Sequence, residues 1–332
     1  MSPRIGSADD ARAVAEAARI LRDGGIVAFP TETVYGLGAN ALSPEAVARI
    51  FEVKRRPSFD PLIVHVADVA AARRAVRSTD SRFDRLARAF WPGPLTLVLE
   101  RHPDIPDLVT SGLSTVGVRV PAHPAALRLL SEAGVPVAAP SANPFGYVSP
   151  TTAAHVVDSL GDGVDFVLDG GPCQVGVEST IVSLETEPPT LLRPGGTPRE
   201  AIEATLGGGL AERTPRGGSA NAPDSPGQLE SHYAPRTPLT LLPLGIAASV
   251  SSSNARVGAL VFREAPVGPF CVVECLAPDG RDTTAAARLF AALRRLDAAG
   301  LDHIVAESCP ETGLGRAIMD RLRRAATSGA RG

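Results

Sequence analysis

Side chains that could do chemistry are gathered in a few loops that interrupt apolar runs. The loops "FPTETVYGLGANA", "KRRPSFDP", "SGLSTVGVRVP", "APSANPFGYVSPTT", "GGPCQVGVESTIV" and "LLRPGG" supply Lys54, the guanidinium groups of Arg56, Arg119 and Arg193, and the hydroxyls of Thr33, Thr115, Ser141, Ser149, Ser179 and Thr180. Polar loops on a rigid strand scaffold are where binding sites form. The inventory suits a polyanion: arginine forks grip carboxylate or phosphate bidentately, whereas an ammonium is a compact charge that sits among several phosphate oxygens. Lys54 is the single lysine among 33 basic residues, so its type stands out against a chain that otherwise uses arginine.

Each candidate has a plainer reading beside the chemical one. Lys54 closes a helix and could be a solvated charge favourable to the macrodipole. His65, inside "LIVHV", could be a satisfied interior histidine. "SAN" at 141–143 could be a turn or a cap. Glu178 could bind Mg²⁺ or pair with an arginine. No Walker A loop, H-E-x-x-H, G-x-S-x-G or Cys/His dyad occurs in the sequence. A phosphate-handling site with no protein nucleophile implies that one substrate attacks another while the protein positions both.

The elements that must carry these loops read as a mixture of helices and strands. "SADDARAVAEAARILRDGG" predicts a helix with Ser7 as N-cap and Gly24 as stop, followed by the strand "GIVAFPT". "SPEAVARIFEVK" repeats the signature, with Ser43 capping and Pro44 at the first helical position, and delivers Lys54 at its end before the strand "PLIVHV". "LTLVL", "TVGVRVP", "PVAAPSA", "DFVLDGG" and "STIVSL" read as strands, and "HPAALRLLSEAG" and "PREAIEATLG" as helices. Several strands follow one another too closely for a pure βαβ repeat, which predicts a twisted mixed sheet.

The chain, at 332 residues, is longer than a single core usually supports. We divide it into an α/β domain over 1–206, a linker over 207–237, and a smaller Rossmann-like α/β domain over 238–332 that lacks G-x-G-x-x-G after its first strand. Within the linker, "SPGQLESHYAPRTPL" carries His232 and Tyr233, unusual in a passive tether.

A net charge of −3 and 4% aromatic residues argue against an RNA-binding module built on a basic field or a stacking platform. The absence of a long apolar run predicts no membrane span and a cytoplasmic protein. Cys173, Cys271, Cys275 and Cys309 are too scattered for a disulfide framework and read as buried reduced thiols.

Taken in order, "FPTETVYGLGANA", "KRRPSFDPLIVHV", "WPGPLTLVL", "VGVRVPAHP", "APSANPFGYVSPT", "VESTIV", "LLRPG" and "SPGQLESHYAPRTPL" resemble the L-threonylcarbamoyladenylate synthases of the YrdC family in their long, two-domain form. The K-x-R and S-x-N signature of that family falls on Lys54, Arg56, Ser141 and Asn143. The resemblance implies that L-threonine, bicarbonate and ATP give threonylcarbamoyl-AMP and pyrophosphate with Mg²⁺, the metal held mainly by the ATP phosphates. A separate transferase complex would then modify tRNAs that read codons beginning with A. By matching position, Thr33, His65, Arg119, Ser179 and Thr180, with the backbone of Ala139, would contact threonine. Arg56, Asp60, Thr115, Ser141, Ser149, Arg193, His232 and Tyr233 would contact ATP, the last two from the linker over 207–237, which would fold back as an active-site lid. The implied assembly is a monomer or weak dimer. Asp60 departs from the family's frequent asparagine and puts a carboxylate where phosphates are expected. A related carbamoyl-adenylating enzyme is the other reading of such a domain, but the acylphosphatase and zinc-finger segments that accompany it are missing from this sequence.

Overall fold

The computed structural model describes residues 3–212, 225–226, 232–245, 255–263 and 268–327. They separate into two units. The first comprises Met1–Phe145, Pro150–Gln174 and Glu178–Gln228; the second comprises Gly146–Ser149, Val175–Val177 and Leu229–Gly332. The stretch read as linker thus divides between them, and its residues 213–224 and 227–231 lie outside the described residues.

The first unit is built on strands β1 (Arg4–Ser7), β2 (Val27–Phe29), β3 (Gly36–Asn40), β4 (Ile63–His65), β5 (Leu95–Glu100), β6 (Thr115–Arg119), β7 (Val137–Ala138), β8 (Phe166–Asp169), β9 (Thr180–Ser183), β10 (Thr190–Arg193) and β11 (Ala211–Glu212). They form one sheet in the order β1-β8-β2-β3-β7-β4-β6-β5-β9-β10-β11, with parallel and antiparallel pairs interspersed. Its helices are α1 (Ala11–Arg22), α2 (Pro44–Lys54), α3 (Val69–Ala75), α4 (Ser81–Phe90), α5 (Asp107–Thr110), α6 (Pro124–Ala133), α7 (Ala153–Leu160) and α8 (Arg199–Leu206). Both faces of the central strands are buried. On β2, Val27 and Phe29 join the cluster packed under α1 and α6, while Ala28 joins the larger cluster beneath α2 and α4, as the alternation of side chains along a strand requires.

Local chemistry explains most boundaries. Ser43 caps α2 by accepting from the Ala46 N–H, Pro44 sits in the first turn, and Arg55 ends the helix in the left-handed conformation. At α1 the cap is Asp10, which accepts from the Arg12 N–H, not Ser7. Ser7 instead closes β1, which pairs in parallel with β8. Two of the four thiols are buried, but Cys271 is exposed and Cys275 half-buried, so the reading of all four as interior residues is corrected there.

The second unit has its own parallel sheet, in the order β12 (Leu239–Leu242), β15 (His303–Glu307), β13 (Val257–Val261) and β14 (Val272–Cys275), with α9 (Asp282–Ala298) and α10 (Gly315–Thr327). This is the Rossmann-like α/β pattern expected from the sequence. Among the described residues no helix is long and apolar enough to cross a membrane.

Candidate active site

Two polar clusters lie in the first unit. The first is organised by α2. The helix delivers Lys54 into a buried position, 1% exposed, where the ammonium donates to the carbonyl of Ser141 at 2.5 Å and to that of Asn143. The loop following β7 is therefore tied to α2 by the one lysine of the chain, and the Phe145 N–H returns to the Lys54 carbonyl at 2.9 Å. Lys54 and the S-x-N loop, 87 residues apart, form one object, and the reading of Lys54 as a solvated helix end is excluded.

Arg56 follows in the left-handed turn. It donates to the carbonyls of Asp60 (3.0 Å) and Pro61 (2.8 Å), lies over the Phe145 ring, and pairs with the Asp60 carboxylate at 2.8 Å. Asp60 is fully buried, and neither of its carboxylate oxygens accepts a well-directed hydrogen bond among the described residues. Burial pushes its carboxyl upward against the pull of Arg56, Lys54 and Arg193. Burial and the neighbouring Arg56 drive Lys54 well below the ordinary lysine range, opposed by Asp60. The departure at Asp60 thus places one carboxylate among three buried cations, which offsets part of their mutual repulsion before any anion arrives.

The second cluster gathers at one end of the sheet. Parallel pairing of β4 with β6 sets His65 beside Arg119, and the Ala139 N–H bonds the Ile63 carbonyl at 2.9 Å, bringing the end of β7 alongside. Arg119 donates to the Gly93 carbonyl (3.2 Å), to Thr33 Oγ1 (3.0 Å) and to Glu32 Oε1 (2.5 Å), while Glu32 Oε2 accepts the Ala122 N–H at 2.9 Å. Thr33 also meets Thr31 at 2.8 Å. Across β5, Ser179 Oγ lies 2.8 Å from Thr96 Oγ1 and accepts from Arg193, which also holds the Ser179 carbonyl at 2.9 Å. Thr180 donates to the Thr197 carbonyl. Thr33, His65, Arg119, Ala139, Ser179 and Thr180 are accordingly assembled around one sheet end. Sequence reasoning missed Glu32, Thr96 and Phe145; a buried acid inside the "TETVYG" motif was the available signal for the first.

Gly195 holds the second cluster from behind. A Cβ there would lie 2.3 Å from the Ser179 carbonyl carbon and the Thr180 nitrogen. Gly195→Ala must push both residues away from the sheet end, an overpacking worth about 1–3 kcal/mol. Its thermal midpoint should fall; a wild-type midpoint would refute the tight approach.

His65 is buried against the edge of the Phe29 ring, with Nδ1 3.3 Å from the Ile63 carbonyl. Burial, reinforced by the Arg119 charge, pulls its pKa down to about 3 from 6.5, against the opposing hydrogen bonds of the Ile63 and Val137 backbone. Between these values the unfolded chain binds a proton that the folded chain refuses, so stability falls as pH drops from 6.5 toward 3, by up to about 1.4 kcal/mol per pH unit. Denaturant midpoints measured across that window should show a shallower decline in His65→Asn than in the wild type; parallel curves would remove His65 as a source.

Pro61–Ile63, Thr96, Val98, Thr110, Leu113, Thr115–Gly117, Ile181, Ser225 and Pro226 line a narrow slot of about 10 Å³, room for a single water. Thr115 is therefore at the slot rather than beside Lys54. Arg193 reaches it by donating to the Pro226 carbonyl at 3.2 Å. Ser149, His232 and Tyr233 belong to the second unit. There Tyr233 is buried with φ +62°, its ring stacked on Phe290 and under the Arg321 guanidinium, and His232 lies 4.2 Å from it, ring to ring.

Comparison with known proteins shows which family the chain belongs to. Residues 19–195 match the Sua5–YciO–YrdC family, described as telomere recombination, and residues 197–327 match the threonylcarbamoyl-AMP synthase C-terminal domain. The threonylcarbamoyl-AMP synthase of Bacillus subtilis is 44% identical over 326 residues, covering 94% of this chain and 92% of its own. That of Pyrococcus abyssi is 41% identical over 319 residues, covering 93% and 92%. A crystal structure of P. abyssi Sua5 complexed with L-threonine superimposes with a TM-score of 0.88 at 40% identity, covering 95% of this chain and 94% of that one. The chain belongs to the threonylcarbamoyl-AMP synthase family, in its two-domain form.

Proposed function

We propose that the chain condenses L-threonine, bicarbonate and ATP into threonylcarbamoyl-AMP and pyrophosphate, a nucleotidyl transfer that opens the threonylcarbamoylation of tRNAs reading codons that begin with A. The observation that carries this reading is the pairing of two buried cationic clusters in one unit. One, Lys54 with Arg56, suits a polyphosphate, with Arg193 of the neighbouring cluster adding its charge through Asp60; the other, Arg119 with Thr33 and Ser179, suits the carboxylate, amine and hydroxyl of a small amino acid.

In this reading the threonine amine adds to bicarbonate with loss of water, or to CO₂ with loss of a proton, the resulting carbamate oxygen attacks the α-phosphorus, and pyrophosphate leaves. The protein supplies alignment and charge. Arg119 takes the threonine carboxylate, releasing Glu32 from part of its hold. Lys54, Arg56 and Arg193 stabilise the phosphates, and Ser141 and Asn143 are held for contact by the lysine between them. A magnesium ion carried by the ATP phosphates would supply countercharge. Among the described residues no group of three or more His, Cys, Asp or Glu is arranged to hold a metal ion. Asp60, whose oxygens accept no directed hydrogen bond, is the carboxylate that would complete such a phosphate-borne ion.

Pyrophosphate release should require ATP, threonine and bicarbonate together, measured with each omitted in turn. Release without threonine, or equal release with serine, would overturn the assignment. A separate transferase complex would receive the product and carry the group to tRNA, as the family resemblance implies.

A further inference from the structure

The second unit includes a short piece of chain that belongs by sequence to the signature loop. Gly146–Ser149 leaves the first unit after Phe145 and re-enters it at Pro150. Within the second unit these four residues are gripped by two other segments. The Ala234 N–H donates to the Gly146 carbonyl at 2.9 Å, and Tyr147 bridges Ala234 in parallel register. The Tyr147 hydroxyl donates to Asp297 Oδ2 at 2.7 Å, and Oδ1 of the same carboxylate accepts the Thr237 N–H at 2.8 Å. Arg294, one turn earlier on α9, donates to the carbonyls of Val148 (2.5 Å) and Ser149 (3.3 Å) and lies 5.0 Å from the Tyr147 ring. Arg236 covers the ring as well, at 5.4 Å. Ser149 is fully buried.

A tether needs none of this. One carboxylate joins the segment around Tyr147 to the segment that follows the "HYAP" motif, and one guanidinium fixes two successive carbonyls just ahead of Pro150. We infer that Arg294 and Asp297 are positioning residues for Ser149, which sets the second unit a task in the nucleotide chemistry: to order residues 146–149 before ATP binds. The inference rests on the reading of Ser149 as an ATP contact. Without the two α9 side chains, the cost of ordering four residues would fall on the nucleotide, while the threonine cluster, formed by Thr33, Arg119 and Ser179 in the first unit, would be untouched.

The test uses the full chain with Arg294→Met, Arg294→Lys and Asp297→Asn beside the wild type. Hydrogen exchange should speed up about tenfold at the amides of Tyr147, Val148 and Ser149 in Arg294→Met and Asp297→Asn, with β5 and β6 amides unchanged. ATP affinity by equilibrium binding should fall about tenfold, and the KM for threonine should stay within about twofold. Arg294→Lys, which keeps a donor but not the fork, should recover part of the ATP affinity. Unchanged exchange at 147–149, or equal weakening toward ATP and threonine, would overturn the inference. A wild-type chain that releases no pyrophosphate would sink the functional reading instead, and the exchange comparison would still decide the positioning role.

Discussion

Lys54→Arg is expected to lower pyrophosphate release by at least about 100-fold although the charge is kept, the size of loss seen when one preorganised electrostatic donor is removed. The reason is steric and directional. The ammonium occupies a position only 1% exposed and divides its donors between the carbonyls of Ser141 and Asn143. A planar guanidinium is longer and spreads its hydrogens in one plane, so it cannot meet both carbonyls from the end of α2 without displacing the loop. Lys54→Met tests the other half of the argument. It fits the volume but leaves two carbonyls without their donor, costing about 1–3 kcal/mol for each that stays buried, and it should be both less stable and inactive. Near-normal turnover by Lys54→Arg in a pyrophosphate assay would make the lone lysine an accident of composition.

The second large effect is expected at Arg119. Arg119→Met strands Glu32, which is 6% exposed and would keep, among the described residues, only the Ala122 N–H as a hydrogen-bond donor. Removing one member of a buried ion pair costs about 3–5 kcal/mol, on the order of 10 °C in thermal midpoint for a unit of this size. Threonine dependence should disappear as well. Adding Glu32→Leu removes the stranded charge, so the double variant should regain most of the stability and none of the threonine response. A double variant that responds normally to threonine would show that Arg119 serves the fold alone.

These expectations also mark where the sequence was readable. The helix ending at Lys54 could be read because Ser43, Pro44 and the apolar spacing are all local signals. That His65 and Arg119 would sit side by side could not, because parallel register between β4 and β6 is fixed by packing over 54 residues of separation. The pairing of Glu32 with Arg119 spans 87 residues for the same reason. β1 was missed because its four residues are mostly exposed and become a strand only against β8. Ser7 lost the capping role to Asp10, whose carboxylate stands closer to the helix start. The family motifs identified the loops that matter, but not that Asp60 is sealed among cations, nor that the four residues after Phe145 group with the C-terminal unit.

The buried single lysine has a practical consequence. Nitrogen-15 introduced through lysine alone would yield one side-chain Nζ resonance for the whole chain, and its protons, shielded between two carbonyls, should exchange slowly enough to be seen. The protein thus carries a built-in reporter at the centre of the proposed chemistry, and the arrival of each substrate could be followed as a displacement of one signal.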